Sequence, residues 1–414
     1  MNQLPPGWSE KSLIDFCDMY QPKTIAKKDL LPDGEYQVYG ANGPIGFFDQ
    51  YNHEESEVTV TCRGATCGTV NVIPERTWIT GNAMVVRPHR EVMDKPFLAY
   101  MLMSVDFSSV ITGTAQPQIT RTNLAPLLVK IPPLAEQRRI VAAIEEHFSH
   151  LDTAETAFLA VETRLDHLVQ ACIDDALSAR TDRTIEDLTE ERGITDGPFG
   201  SNLKSSHYTE AGPRVVRLGN IGRGVFIDEE THITEEHYER LAKHGVEAGD
   251  LLIASLYSDR LRSCVAPESL GRSIVKADCI RVRPNVETDV EYLGYALRRS
   301  AIDKWCEERV KGIGRQRLGL AAIRQLPVAG LDQEAQKEIA GRLRDLEDRV
   351  GEVRRMAATA QGRASQLRRS ILAAAFSGQL VPQDPTDEPA SVLLERIAAE
   401  RAASKPSRKK KVTS

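Results

Sequence analysis

From Ile140 onward, apolar residues recur at alternating steps of four and three: Ile140, Ile144, His147, Leu151, Ala154, Phe158, Val161, Leu165, Leu168 and Cys172. That is the period of a coiled-coil seam, with His147 as its one polar member, expected as a tolerated polar core residue. Adding 199 to each number gives Ile339, Leu343, Leu346, Val350, Val353, Ala357, Ala360, Ala364, Leu367 and Ile371, so the seam recurs without a gap. The pattern predicts two helices, over 135–178 and 333–377, each about 65 Å long at ~1.5 Å per residue. Ile140, Ile144, Leu151, Phe158, Leu165, Leu168, Ile339, Leu343, Leu346, Val350, Leu367 and Ile371 are the expected helix-pairing residues. The seam leaves the direction of pairing open: parallel helices would set Phe158, Val161 and Leu165 against Ala357, Ala360 and Ala364, whereas antiparallel ones would set Ala154 against Ala357.

Ahead of the first helix the period shortens to two. Runs such as 57–61, 68–72 and 82–86, broken by Asn42-Gly43-Pro44, Pro74 and Arg87-Pro88, predict strands, and 96–105 a helix. Ile131-Pro132-Pro133 ends this α/β module, because paired prolines stop a strand and suit the start of a helix. A second module repeats the order. Asp278 to Pro284 answers Asn82 to Pro88, Tyr292-Leu293-Gly294-Tyr295 answers Phe97-Leu98-Ala99-Tyr100, and from Gly113 against Gly312 the offset stays at 199. Stretches 40–76 and 197–272 align poorly. The expected organisation is a module over 1–133, a helix over 134–179, a second module over 180–331, a second helix over 332–378, and a tail over 379–414. The tail holds a short amphipathic helix with Val392, Leu393 and Ile397, then a basic run, 405–411, expected to be a solvated end or a non-specific phosphate contact.

Composition narrows the function. Nothing reads as a signal peptide and no apolar run is long enough to span a bilayer, so a cytoplasmic protein is expected. Seven scattered cysteines are no disulfide framework. A net charge of −6 argues against coating nucleic acid by bulk electrostatics, while leaving room for a local positive contact surface. No phosphate-binding Gly-rich loop, nucleophile elbow or His-Glu-x-x-His pair is present. No lysine follows an acidic residue by two positions, as common metal-dependent nucleases require, and neither Pro-Pro pair sits in the Asn/Asp-Pro-Pro-aromatic loop of an amino-methyltransferase. Cys62-x4-Cys67 with His53 falls short of four zinc ligands, so buried structural thiols and no metal are expected.

Two related modules on two related helices suit a ligand whose backbone has local two-fold symmetry and whose sequence does not, which describes duplex DNA with major grooves roughly 34 Å apart. Arg pairs bidentately with guanine, and Gln or Asn with adenine. Candidate readers are Arg63, Gln116, Gln118 and Arg121 in the first module, and Lys204, Arg217, Asn220, Arg260, Arg315 and Arg317 in the second. The best single candidate is the loop Gly113-Thr-Ala-Gln-Pro-Gln118, answered by Gly312-Ile-Gly-Arg-Gln-Arg317.

The chain resembles the specificity (S) subunits of type I restriction-modification systems over nearly its full length. The resemblance is carried by Leu4-Pro-Pro-Gly-Trp8, Tyr39-Gly-Ala-Asn-Gly43 with Ile45-Gly46, Gly113-Thr-Ala-Gln116 and above all Ile131-Pro-Pro-Leu-Ala-Glu-Gln-Arg-Arg-Ile140. In the second half it is carried by Asp196-Gly-Pro-Phe-Gly200, Arg217-Leu-Gly-Asn-Ile221, Gly249-Asp-Leu-Leu252, Leu367-Arg-Arg-Ser-Ile-Leu372 and Ala375-Phe-Ser-Gly378. The second helix departs from the pattern at its start, where Leu331-Asp-Gln-Glu334 keeps only Gln336 and Ile339 and substitutes Asp332 as N-cap. The resemblance implies an α+β protein with an internal pseudo-two-fold repeat, in which two α/β target recognition domains are separated by long helices that pair as an antiparallel coiled coil. Each domain would read half of a bipartite site on double-stranded DNA, and the helices would set the spacer and dock two methyltransferase subunits. S-adenosylmethionine, ATP and Mg would belong to those subunits and to the restriction/translocase subunits, leaving this chain without cofactor or active site. Two other readings stand beside it: a coiled-coil scaffold that bridges two proteins without touching DNA, and a self-contained nuclease or methyltransferase, which the missing motifs disfavour.

Overall fold

The computed structural model describes residues 4–113, 116–178, 181–198, 200–312 and 314–404. The chain divides into two units, Met1–Thr156 with Thr359–Ser414, and Ala157–Ala358. Thr114, Ala115, Ala179, Arg180, Phe199, Ile313 and the basic run 405–411 lie outside the described residues.

The first unit begins with β1 (Ser9–Ser12), β2 (Cys17–Tyr20), β3 (Tyr36–Tyr39), β4 (Pro44–Phe48), β5 (Glu57–Thr61), β6 (Val70–Ile73), β7 (Trp78–Ile79) and β8 (Ala83–Pro88). Then come α1 (Lys95–Ser104), α2 (Arg121–Leu124), β9 (Leu128–Ile131) and the long α3 (Leu134–Ala176), whose second part belongs to the other unit. The strands form an antiparallel sheet β2-β8-β5-β6, a sheet β4-β3-β7 in which β3 and β7 are parallel, and a ribbon β1-β9. All five residues of the interior strand β5 are buried, and Glu57 among them is held by Arg87 on β8, its Nε donating at 2.9 Å. The expected strand over 68–72 starts two residues later, because 64–69 turn back on themselves and Gly68 takes φ +91°.

The second unit continues with β10 (Arg183–Thr184), β11 (Thr189–Asp196), β12 (Tyr208–Val216), β13 (His232–Ile233), α4 (Glu235–Arg240), β14 (Gly245–Val246), β15 (Leu251–Ala254) and β16 (Ser263–Val265). It closes with β17 (Ser273–Val275), β18 (Cys279–Pro284), α5 (Val290–Ala296), α6 (Ser300–Glu307), α7 (Leu320–Arg324), β19 (Pro327–Val328) and the start of α8 (Gln333–Phe376); α9 (Ala390–Ser404) follows in the first unit. Its sheets repeat the plan: β11-β18-β15-β16, a ribbon β10-β19, and β13-β12-β17-β14 with β12 and β17 parallel. The stretches that do not align in sequence therefore share a topology, to which the second unit adds one strand, β14.

A buried glutamine at an equivalent place ties each module to its long helix. In the first, Gln137 accepts a hydrogen bond from the Asp94 N–H at 2.8 Å and donates to the Val92 and Pro132 carbonyls at 2.7 and 3.0 Å. In the second, Gln336 accepts from the Asp289 N–H at 2.8 Å and donates to the Leu331 and Glu287 carbonyls at 2.8 and 3.4 Å. Asp94 and Asp289 are themselves the N-caps of α1 and α5, accepting from Phe97 N and Tyr292 N. Gln336 is thus kept, where the wording around it changes, because it satisfies three buried backbone groups.

Within each unit the long helices run antiparallel. In the first, Ile140 and Ile144 share a core with Ile371 and Ala375 while Asp152 meets Arg368 at 2.6 Å; in the second, Ile173 shares a core with Ala340 and Leu343 while Asp166 meets Arg354. The seven-residue rows Ile144, Leu151, Phe158, Leu165 and Leu343, Val350, Ala357, Ala364, Ile371 face inward, buried or half-buried. The alternate row follows the expected seam only in part: Ile140 is buried and Ala154, Val161, Leu346 and Ala360 are half-buried, while four members turn outward. Leu168 and Leu367 are exposed, at 47% and 50%, as are His147 and Val353, and their inward places go to Phe148, Val169, Arg354 and Arg368. A straight helix with 3.6 residues per turn drifts past a strict 3.5-residue row, so the next position turns inward. Arg368 fills its place by lying over the Phe148 ring, 5.2 Å from the centroid, with its charge met by Asp152 and Glu155.

Residues 379–404 are part of the first unit. Leu393, Leu394 and Ile397 of α9 enter its core, Asp387 binds Arg139 at 2.7 Å, and the Ala390 N–H donates to the Gly7 carbonyl at 3.0 Å. Trp8 donates its indole N–H to buried Glu136 at the start of α3, at 3.1 Å from both carboxylate oxygens.

Candidate nucleic-acid interface

The loops singled out by their glycines are the tips of two equivalent hairpins. In the first unit Thr112 and Gln118 exchange backbone hydrogen bonds of 2.9 and 2.8 Å. The outgoing arm then pairs with the chain after β5, through Gly64 N–H to the Pro117 carbonyl at 3.2 Å and Ile119 N–H to the Cys62 carbonyl at 2.9 Å. In the second, Lys311 and Arg317 exchange bonds of 3.0 and 2.9 Å, with Tyr257 N–H to Gln316 at 3.0 Å and Leu318 N–H to Ser255 at 2.9 Å. Glycine is required at the turn: Gly113 and Gly312 take φ +86° and +112°, and a Cβ would lie 2.6 and 2.7 Å from the carbonyl oxygens of Gln116 and Arg315.

This correspondence places Gln116 opposite Arg315 in the repeat, Gln118 opposite Arg317, and Arg63 opposite Leu256. One backbone frame carries glutamines in one copy and arginines in the other. Gln116, Arg315 and Arg317 are exposed, Gln118 is half-buried, and exposed Arg63 bridges to Gln118. Arg121 is exposed on the first turn of α2, which Thr120 caps by accepting from Asn123 N at 3.3 Å. Arg260 is exposed four residues beyond Leu256. Its loop is anchored by Tyr257, whose hydroxyl donates to the Asp259 and Asp303 carbonyls at 2.9 and 3.1 Å and is pushed up to about 12, first by burial and then by the charge of Asp303.

The other candidates lie around β12. Lys204 is exposed before it, its backbone N–H donating to His207 Nδ1 at 3.2 Å. Arg217, just after it, is half-buried with Glu229 at 3.5 Å, which offsets part of its charge. Asn220 is not a reader in this structure. It is buried, its Oδ1 accepts from Arg217 N at 2.7 Å and its Nδ2 donates to the Ile227 and Glu229 carbonyls at 2.8 and 2.9 Å, so its amide is consumed in shaping its own loop. Asp278, which sequence reasoning does not single out, stands beside the second hairpin. It accepts from Arg317 at 2.8 Å and holds a left-handed backbone at φ +69°. The available signal was its correspondence with Asn82 next to a strand that the repeat preserves.

Cys62 is buried, with its thiol pushed up by burial, and Cys67 is half-buried. Among the described residues, no group of three or more His, Cys, Asp or Glu side chains is placed to hold a metal, and no helix is long and apolar enough to cross a membrane.

Comparison with known proteins agrees with this architecture. The family model described as the type I restriction modification DNA specificity domain matches residues 5–160. The EcoKI specificity subunit of Escherichia coli K12 is 25% identical over 79% of this chain and 76% of its own, and the Escherichia coli EcoBI specificity subunit is 24% identical over 70% and 69%. A solved chain from work on complex assembly and conformational transition of the type I R-M system shares the fold, with a TM-score of 0.68 and 17% identity over 92% of this chain and all of that one. A specificity-domain model thus matches the first module, the second module repeats the same sheet plan, and the chain is similar to type I restriction-modification specificity subunits along most of its length.

Proposed function

We infer that this chain is the DNA sequence-recognition subunit of a type I restriction-modification complex, with each unit reading one half of a bipartite duplex site. The observation that carries this reading is the pair of equivalent hairpins bearing unlike polar side chains, Gln116 and Gln118 against Arg315 and Arg317. A repeated frame presents each copy to the same backbone geometry, and different donors on it select different bases. Arg63, Arg121 and Arg260 near the hairpins, and Lys204 and Arg217 around β12, serve as phosphate or base contacts. The chain has no catalytic role of its own in this reading. Two methyltransferase subunits bind along α3 and α8 and bring S-adenosylmethionine, restriction/translocase subunits use ATP and Mg, and the complex works in the cytoplasm.

The test is co-expression with a candidate methyltransferase subunit from the same genome, followed by mapping methylated adenines across the host genome. Two short half-sites with a fixed gap are the expected result. A stable complex that methylates no defined motif would refute DNA recognition and favour a scaffold that bridges two proteins.

A further inference from the structure

The two hairpins differ in how their second reader is held, and the difference has a direction. In the second unit the Arg317 backbone is fixed by its paired bonds to Lys311, and one guanidinium nitrogen donates to Asp278 Oδ2 at 2.8 Å. Asp278 is fixed in turn: its carbonyl accepts from Ser255 N–H at 2.9 Å, its Oδ1 faces the Ser255 hydroxyl at 3.5 Å, and it sits at φ +69°. A non-glycine residue held there stores backbone strain, which persists only where the surroundings over-determine it. The Asp278 side chain is 12% exposed and that of Arg317 is 46% exposed. The carboxylate is therefore nearly sealed, and the arginine leans on it with much of its donor fork still in solvent. In the first unit the equivalent places hold Gln118 and Asn82, whose carbonyl accepts from Cys62 N–H at 2.9 Å as that of Asp278 does from Ser255. There the pair is neutral.

We propose that Asp278 is a positioning residue that braces Arg317 to read a guanine in the half-site bound by the second unit. A guanidinium tethered at both ends loses less freedom on binding than a free one, and its remaining N–H groups match the O6 and N7 acceptors of guanine. The bracing carboxylate also rejects bases. An acceptor stationed beside the reader orients the donors outward, so a base edge that presents an amino group meets donors only. The inference rests on the DNA-recognition reading above and adds which side chain reads which base.

The experiment uses the assembled complex with its methyltransferase subunits. Once the wild-type methylation map defines the two half-sites, gel-shift competition compares the cognate duplex with duplexes in which each guanine of one half-site is replaced in turn. Wild type should discriminate against replacement of one guanine by roughly 5- to 150-fold. R317Q and R317K should bring that ratio close to one while preferences in the other half-site persist, since lysine keeps the charge and loses the fork. D278N, whose asparagine tolerates the left-handed backbone, should narrow the same ratio and no other, which a merely structural role would not do. Full discrimination by the Arg317 variants at every guanine would overturn the proposal, as would a uniform loss of affinity with all preferences intact, which marks a phosphate contact. Failure of the parent reading looks different: the wild-type complex would then have no motif at all.

Discussion

Gln137 offers the sharpest quantitative test of how a module is joined to its helix. Gln137→Leu keeps the volume roughly constant and removes one acceptor and two donor bonds, leaving the Asp94 N–H and the Val92 and Pro132 carbonyls without partners. Gln137 is fully buried, so water does not replace it without local opening. An unsatisfied buried group costs ~1–3 kcal/mol, and three of them with partial relaxation come to about 3–5 kcal/mol. That is a large share of a domain's total stability, so the first unit should unfold well before the second. Hydrogen exchange followed by mass spectrometry on the full chain reads this directly. Q137L should accelerate exchange in α1 and around Asp94 and leave the segment around Asp289 at wild-type rates; Q336L should do the reverse. Gln366→Leu, at an exposed position on α8, is the matched control. A urea midpoint and exchange pattern for Q137L indistinguishable from that control would refute the claim that this amide helps to fasten module to helix.

Two further perturbations follow from the same structure. Burial raises the Glu136 carboxyl above its usual range, so the folded chain binds that proton more tightly than the unfolded one and stability falls as pH rises through the carboxylate range. E136Q should therefore gain stability over wild type progressively from pH ~4 to ~7, and a gap in urea midpoint that is flat or shrinks with pH would contradict this. If the long helices set the gap between half-sites, seven residues inserted at matched places in α3 and α8 preserve the inward rows and lengthen the gap by about three base pairs, from ~10 Å of added helix; four inserted residues break the rows. An unchanged gap in the methylation map after the seven-residue insertion would refute the ruler.

The parts of this molecule that were legible in the sequence are those set by local periodicity. The long helices begin and end within two residues of their expected bounds, because a four-three repeat over ten positions has no other regular solution. Which residues of the alternate row face inward was not legible. The 3.5-residue template chose Leu168 and Leu367 for their side chains, while helix geometry turned Val169 and Arg368 inward and left the leucines to solvent. The hairpins were visible through Gly113 and Gly312, since a required positive φ leaves its mark on residue type. Asn220 and Asp278 exchange roles for the opposite reason. An asparagine that caps its own loop and one that reads adenine are the same letter, and only burial tells them apart; Asp278 matters through a brace to a residue 39 positions away. The common topology of the two outer sheets was hidden because short strands tolerate almost any β-forming residues, so that side chains diverge while the pairing order is retained.

The shared ownership of the first unit bears on the order in which the protein is made. Its core needs Ile371, Ala375, Leu393 and Ile397, which the ribosome supplies after the whole of the second unit. At about 5–20 residues per second, the roughly 200 intervening residues take about 10–40 s. During that interval the β-sheets of the first module can pair and α3 can rest on them, yet the face of α3 that shares a core with Ile371 and Ala375 lacks those partners. The second unit is closed by contiguous sequence and finishes first, although it comes later in the gene. The stretch translated first is therefore the last to be completed, and a chain truncated before α9 would expose the apolar surface that α9 covers, marking an unfinished molecule for chaperones and proteases.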